Sequence, residues 1–389
     1  MPASNGPLRT ILAHAFVSVA LLGCDGGGSS NGTDGGGGGS KHDARSTHDG
    51  SVLEIDGAIS APPNDCTTTI PTEAELVDTS APNTVVGDGS ATSCTIDALA
   101  SAVAKGGTIT FDCGDKPVTI AVTSTLSFPT DKDSVLDGGN KVILDGGDEV
   151  RILEWDSPGW MTNEHSLTVQ RIAFTRGRSK GETMFKSCPS PCSGGYEDGQ
   201  GGAIYMRDGA LRVIDSLFAN NHAAEIGPDT GGGAIYIMGA KNPAFLSGST
   251  FRDNTASNAG AIGALFADWN ISNCLFDNNE AVGNGANNID KGMCSCLESG
   301  QVGSGGNGGA IYSDGVAKGI TLCGVTITNN KAVEFGAAVF FTSNDQSKRG
   351  TLAIRDSTLT NNVGNGVWQA APGISTNGDF PDPIASTIE

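Results

Sequence analysis

Ten cysteines are the first residues of this chain whose chemistry can be predicted. In an exported protein their thiols are expected to oxidise to disulfides. Cys94 and Cys113 bracket a predicted helix and strand and form the favoured pair. Cys274 and Cys323 each follow a strand isoleucine by three residues in consecutive repeats, which would place them within bridging distance. Cys66 has no predicted partner, and the other disulfide candidates lie in two insertions: Cys188, Cys192, Cys294 and Cys296.

Residues that could perform acid–base catalysis are scattered along the chain. A polysaccharide lyase needs an Arg or Lys base with acidic residues that hold calcium, and a hydrolase needs two carboxylates at a suitable separation. Asp137 and Asp145 are each followed by Gly-Gly, which is typical of turns. His222 follows an Asn-Asn turn, and no second feature converges on the arginines near strands: Arg151, Arg171, Arg207, Arg212 and Arg252.

We therefore predict no catalytic residue, no metal site and no cofactor. Cys294-Ser-Cys296 has no histidine nearby and is not interpreted as a zinc motif. Calcium enters only with the alternative of a polysaccharide lyase that acts on acidic polysaccharide.

A repeated phrase defines the architecture that must position these residues. Gly-Ala-Ile or a close variant begins at residues 202, 233, 260, 309 and 336, so the successive spacings are 31, 27, 49 and 27 residues. A second phrase, an apolar residue followed three positions later by Asn, lies between these marks. Short alternating strands with Gly, Asn and Asp at the corners predict an all-β fold, a parallel β-helix.

Two rows of side chains are expected to stack inside the predicted β-helix. The alternation of side chains along a strand points the apolar residue of each repeated phrase inward. The first row is Ile204, Ile235, Ile262, Ile311 and Val339. The second is Phe218, Phe251, Phe276, Ile327 and Leu359.

A ladder of asparagines is expected at one corner. Asn tolerates left-handed backbone angles, and its amide can bond the same amide one coil away, about 4.8 Å along the stack. The alternative, a row of ligands for calcium or sugar, is less typical of neutral amides at a turn. The ladder is Asn221, Asn254, Asn279, Asn330 and Asn362.

The pair of phrases resembles the repeats of polymorphic outer-membrane proteins, which belong to the pectate-lyase-like right-handed β-helix superfamily. The resemblance covers about residues 201–362, with 217–236 the closest stretch. It implies a right-handed β-helix and a surface-exposed protein with a role in adhesion. Relatives of that type carry a C-terminal membrane barrel. Only residues 363–389 follow the last repeat here, so we expect a different anchor.

The expected anchor is Cys24. An apolar run, residues 11–22, leads into Leu-Leu-Gly-Cys, which resembles the lipobox of bacterial lipoproteins, in which the cysteine is acylated. An ordinary signal peptide with a chance cysteine is the alternative. We expect the protein to be exported and held at the outer membrane or cell surface by its acyl groups.

Composition divides the chain into segments. Residues 1–23 are predicted to be the lipoprotein signal peptide, 24–60 a Gly/Ser-rich tether, 61–93 a poorly patterned lead-in, 94–375 the β-helix domain and 376–389 a C-terminal tail. Thr95 is expected to N-cap a short helix in which Ile96, Leu99 and Val103 share the face that covers the first coil.

The formal net charge of −20 disfavours nucleic acid as a partner. Insertions at about 176–200 and 283–308 both precede a Gly-Ala-Ile mark, so they are expected on one edge, three coils apart, as a binding platform. We expect a binding or adhesion role, with a surface glycan or protein as partner. The Arg-x-Pro-x-x-Arg phrase of pectate lyases and the Gly-His-Gly phrase of polygalacturonases are absent.

Overall fold

A computed structural model describes residues 65–182, 198–227, 230–283, 305–316, 318–343, 347–366 and 368–389. These residues form strands in long, mainly parallel sheets, together with one α-helix, α1 (Ile96–Val103). The prediction of an all-β fold with mainly parallel strands is confirmed. The three sheets are not closed on themselves.

The first sheet has sixteen strands, in which each repeat contributes two. Its early strands are β1 (Thr84–Val86), β2 (Gly107–Phe111), β3 (Val118–Ala121), β5 (Ser134–Asp145) and β7 (Ser166–Thr175). The repeats then contribute β9 (Ala210–Ile214), β10 (Leu217–Ala219), β12 (Ala244–Ser247), β13 (Thr250–Arg252), β16 (Trp269–Ser272), β17 (Leu275–Asp277), β20 (Ile320–Cys323), β21 (Thr326–Thr328), β24 (Leu352–Arg355), β25 (Thr358–Thr360) and β29 (Thr387–Ile388).

The other two sheets take one strand from a repeat. The second sheet consists of β4 (Leu126–Ser127), β6 (Leu153–Asp156), β8 (Ile204–Arg207), β11 (Ile235–Met238), β15 (Ile262–Leu265), β19 (Ile311–Asp314), β23 (Val339–Thr342), β27 (Gln369–Ala371) and β28 (Ile374–Thr376). The third consists of β14 (Thr255–Ala256), β18 (Glu280–Ala281), β22 (Lys331–Phe335) and β26 (Val363–Asn365).

Both predicted inner rows are confirmed. Ile204, Ile235 and Ile262 are register partners on neighbouring parallel strands and are fully buried, and the row continues through β19 and β23. In the second row the rings of Phe218 and Phe251 stack with centroids 4.9 Å apart. Phe174 extends this row one repeat earlier, 4.7 Å from Phe218. Sequence reasoning missed it because Gly177, not Asn, stands three positions after it.

The asparagine ladder is also confirmed. Asn254 Nδ2 donates to Asn279 Oδ1 at 2.9 Å and to the Phe218 carbonyl at 3.0 Å, and each rung through Asn330 repeats the amide–amide bond. One detail of the prediction is wrong. The left-handed residue is the one before each ladder asparagine, for example Asn278 with φ 54°, so the ladder amide itself points inward.

The predicted N-terminal helix is confirmed in α1. The hydroxyl of Thr95 accepts a hydrogen bond from the Ala98 amide at 3.2 Å, which caps the helix. Leu99 and Val103 are buried against the first strands. The predicted disulfide between Cys94 and Cys113 is present, with their Cα atoms 5.7 Å apart.

From residue 65 onward the lead-in is ordered, although its sequence has no recognisable pattern. We call residues 65–80 the strap, because they cross the repeats of the first sheet. At one end the Cys66 amide donates to Asn273 Oδ1 at 2.8 Å. At the other end Val77 exchanges two hydrogen bonds with the Gln170 amide, at 2.9 and 3.0 Å, and the Thr79 hydroxyl donates to Asp137.

The predicted pairing of Cys274 with Cys323 is wrong. The parallel register aligns Trp269 with Ile320, so the strand partner of Cys323 is Ser272. The prediction aligns Ile271 with Ile320, which is two residues away from the observed register. Cys323 is bonded to Cys66 of the strap, and Cys274 is a free, buried thiol whose pKa is raised to about 12 by burial.

The C-terminal segment is not a loose tail. Its strand β29 pairs in parallel with β25. The Leu352 amide donates to the Asp379 carbonyl at 2.9 Å, so residues 376–389 continue the stack. Within the described residues, no helix has the length and apolar character needed to cross a membrane.

Candidate functional site

The residues predicted to form a binding platform are only partly described. Cys24, Cys188, Cys192, Cys294 and Cys296 lie outside the described residues. The stems of both insertions are described, and they end at the equivalent glycines Gly201 and Gly308, with φ 59° and 71°. Three strand pairings separate β8 from β19, as the spacing predicted. Contact between the insertions stays a prediction.

The arginines considered as lyase bases are committed to other partners. Arg171 donates two hydrogen bonds to the Asp137 carboxylate, and this bonding raises the pKa of Arg171. Burial lowers the pKa of Arg151, but its guanidinium donates to Glu154 Oε1 at 2.7 Å and to the carbonyls of Asp198, Gln200 and Gly201. Neither side chain is free to accept a proton from a substrate.

The remaining candidates do not converge. Arg207 lies in the second sheet, whereas Arg212 and Arg252 lie in the first. His222 Nε2 is 3.8 Å from the Asp148 carboxylate. Asp137 and Asp145 each accept the amide of the second glycine that follows, at 3.0 and 2.9 Å. The predicted turn is confirmed after Asp145, which ends β5, but Asp137 lies within β5, where the pairing with β7 shifts register.

A cleft of about 370 Å³ opens where the turns from the second sheet enter the first. We call it the edge cleft, and its lining residues come from four successive repeats. The residues that line it are Pro243, Asp268, Trp269, Asn270, Lys318, Gly319, Thr321, Arg349, Gly350 and Thr351. Its volume lies at the lower end of the range for ligand sites, and its lining is more polar than is usual for them.

A charged pair fixes one wall of the edge cleft. Lys318 Nζ donates to Asp268 Oδ2 at 3.0 Å and to the Ala240 carbonyl at 3.2 Å. Asp268 Oδ1 accepts the Gly319 amide at 2.7 Å. Because the Lys318 side chain is only 9% exposed, the pair links three repeats in a partly desolvated setting.

Two aromatic rings stand beside the edge cleft. Trp160 and Phe266 meet edge to face, with centroids 5.7 Å apart, and both are half-buried. Phe266 has φ 59°, a strained angle for a bulky side chain. A Cβ atom at Gly239 would come within 2.5 Å of the Trp160 ring, so glycine is required there. Gly239 precedes Ala240, whose carbonyl binds Lys318, so the rings and the cleft are contiguous.

The loop that carries Trp160 is held by a buried carboxylate. Asp208 is fully buried and accepts the amides of Thr162 and Asn163 at 3.0 Å and the Thr162 hydroxyl at 3.1 Å. The Met161 amide also donates to the Gly239 carbonyl at 2.9 Å. Such a network orders the loop before any ligand binds.

Sequence reasoning missed this site. Trp160, Phe266 and Lys318 lie in turns outside both repeated phrases, so a search for the repeat passes over them. The only available signal was the presence of large aromatic and cationic side chains in turns otherwise rich in Gly, Asn and Asp.

Comparison with known proteins adds no identification: no protein-family model matches the chain, and no curated protein or solved structure is significantly similar to it. The function is therefore argued from this chain's own geometry.

Proposed function

We propose that this chain is a lipid-anchored surface protein whose right-handed parallel β-helix, of the polymorphic outer-membrane protein repeat type, binds a glycan in the edge cleft. Support for the solenoid comes from the chain order of the strands. The four repeats from β11 to β26 each visit the second, first and third sheets in turn, and their strands pair in parallel with those of the neighbouring repeat. One hydrophobic core takes residues from the first and second sheets.

The observation that carries the binding proposal is the edge cleft with its adjoining rings. Glycans are bound through hydrogen bonds to their hydroxyl groups and through contact of their apolar faces with aromatic rings. Asn270 and Thr321 in the cleft can form the hydrogen bonds, and the rings of Trp160 and Phe266 can contact the apolar faces of the sugars. Because Asp208 holds the Trp160 loop, the rings need little reordering on binding.

Binding is favoured over a lyase activity. The alternative needs an arginine or lysine able to act as base, and Arg151, Arg171 and Lys318 are each bonded to a carboxylate. Export through a signal peptide and anchoring through Cys24 are supported by the sequence of residues 1–50. In it an apolar run is followed by a lipobox-like phrase and then by a Gly-rich segment.

The test is retention on a panel of immobilised surface glycans. Full-length protein in detergent micelles should be retained by at least one glycan without turnover of it. A variant with Phe266→Ala should lose this retention and keep the melting temperature of the parent. Release of unsaturated sugar would support the lyase alternative, and retention that survives Phe266→Ala would contradict the location in the edge cleft.

A further inference from the structure

The edge cleft places two unpaired polar side chains next to each other. Asn270 and Thr321 are register partners on neighbouring strands β16 and β20, so their Cα atoms lie about 4.8 Å apart. Within the described residues, neither side chain has a hydrogen-bond partner. Asn270 is half-buried and Thr321 is exposed, so both polar groups can be reached by a ligand. An amide beside a hydroxyl offers donors and acceptors together.

The charges in the edge cleft are already neutralised. Lys318 is bonded to Asp268, and Arg349 Nη1 lies 3.6 Å from Asp379 Oδ1. A ligand carboxylate that approached Lys318 would compete with Asp268 and be repelled by it. The formal charge of −20 on the whole chain adds to this repulsion.

The aromatic rings extend the same surface along the stack. Trp160 comes from the repeat of β6 and reaches Gly239 and Phe266, two and three strand pairings further along the second sheet. Asn270 follows Phe266 in the same repeat, and Thr321 belongs to the next one. A chain of several sugar units that lies along the stack could therefore contact the rings and the polar pair at once.

We propose that the ligand of the edge cleft is an uncharged glycan, bound along the stack with one unit on Trp160 and Phe266 and another on Asn270 and Thr321. This inference rests on the proposed glycan-binding function and specifies its ligand class. It excludes acidic polysaccharide as the natural partner of this cleft.

The experiment compares two sets of hexasaccharides by calorimetry with the full chain in micelles. One set is neutral, made of glucose, mannose or xylose units, and the other is hexagalacturonate, with and without calcium. The double variant Asn270→Ala/Thr321→Ala removes the polar pair. Thr119→Ala, an exposed threonine on a strand of the same sheet, is the matched control. Melting temperatures verify folding.

We expect a neutral hexasaccharide to bind, the double variant to weaken binding at least tenfold, Thr119→Ala to change it less than twofold, and hexagalacturonate not to bind. Binding of hexagalacturonate that the double variant abolishes would overturn the uncharged ligand and leave the proposed function standing. If the double variant binds the glycan as tightly as the parent, the polar subsite is overturned. If Phe266→Ala also binds it as tightly as the parent, the location in the edge cleft is overturned as well. Absence of binding to every glycan would overturn both proposals.

Discussion

Cys66 is bonded to Cys323, a residue 257 positions further along the chain. The bond joins the strap to β20 of the first sheet. Around it, the Thr67 amide and hydroxyl both donate to Asp356, one repeat beyond, at 3.0 and 2.6 Å. A segment without a hydrophobic pattern is thus held by one covalent bond and by polar contacts.

This disulfide should stabilise the protein more than the shorter one. In the loop-entropy model, closing a loop of this length restricts the unfolded chain by about 5–6 kcal/mol, against about 3 kcal/mol for a loop of the size closed by Cys94 and Cys113. Urea unfolding of Cys66→Ser/Cys323→Ser and of Cys94→Ser/Cys113→Ser should show the larger loss in the first. Equal losses, or a larger loss in the second, would contradict this loop-length account.

The register of the inner rows can be tested on β15. Ile262 is fully buried, whereas Leu265 on the same strand is half-exposed. Ile262→Asp should lower the free energy of unfolding by several kcal/mol, because the carboxylate would have no partner in the core. Leu265→Asp should cost less than half as much. If the two variants melt at the same temperature, the assigned register is wrong.

The ladder can be tested with the same substitution at adjacent positions. Asn279 is fully buried, donates to Asn330 Oδ1 and the Phe251 carbonyl, and accepts from Asn254. Asn279→Gly should destabilise the protein by about 3 kcal/mol, since buried groups lose their partners. Asn278→Gly should cost little, because φ 54° suits glycine. Thermal unfolding of the two variants tests this prediction. If Asn278→Gly lowers the melting temperature more than Asn279→Gly does, the ladder is not a stabilising element.

The bonds of Asp137 predict a pH dependence. Burial raises the pKa of Asp137, but hydrogen bonds from Arg171, Thr79 and Gln170 outweigh it, so its pKa lies below the ordinary value. Its contribution is therefore present above the unfolded pKa of about 3.9 and is lost as pH falls through the lower folded pKa. The stability difference between the parent and Asp137→Asn should be large at pH 7 and shrink below about pH 4. A difference that is constant with pH would refute this assignment.

The anchor can be tested independently of the domain. If Cys24 is the anchor, Cys24→Ala should abolish acylation, and the domain should still fold because the proposed Gly-rich tether would separate it from the lipid. The parent should partition into the detergent phase and the variant into the aqueous phase. If both partition into detergent, acylation of Cys24 is not the anchor.

The repeats were predictable because parallel pairing of successive repeats places the same residue type at the same position in each repeat. Ile204, Ile235 and the ladder asparagines repeat for this reason, and their rows follow from spacing alone. The partner of Cys323 was not predictable in this way, because Trp269 occupies the place of the isoleucine that would have shown the register.

The strap and the edge cleft escaped prediction for a different reason. The contact between Val77 and Gln170 joins residues 93 positions apart through a backbone amide and a polar side chain, which leaves no periodic signal. Lys318 and Phe266 act from turns, where each repeat differs from the next.

The fixed length of the strap also constrains the number of repeats that it spans. Its two fastened ends, Cys66 on Cys323 and Val77 on Gln170, are four strand pairings apart in the first sheet, or about 19 Å. Losing or gaining one whole repeat between them would keep the rows and the ladder intact but move the two fastening points by about 4.8 Å relative to each other. Repeat proteins can change length by duplication, and this chain would have to alter its strap each time it did so.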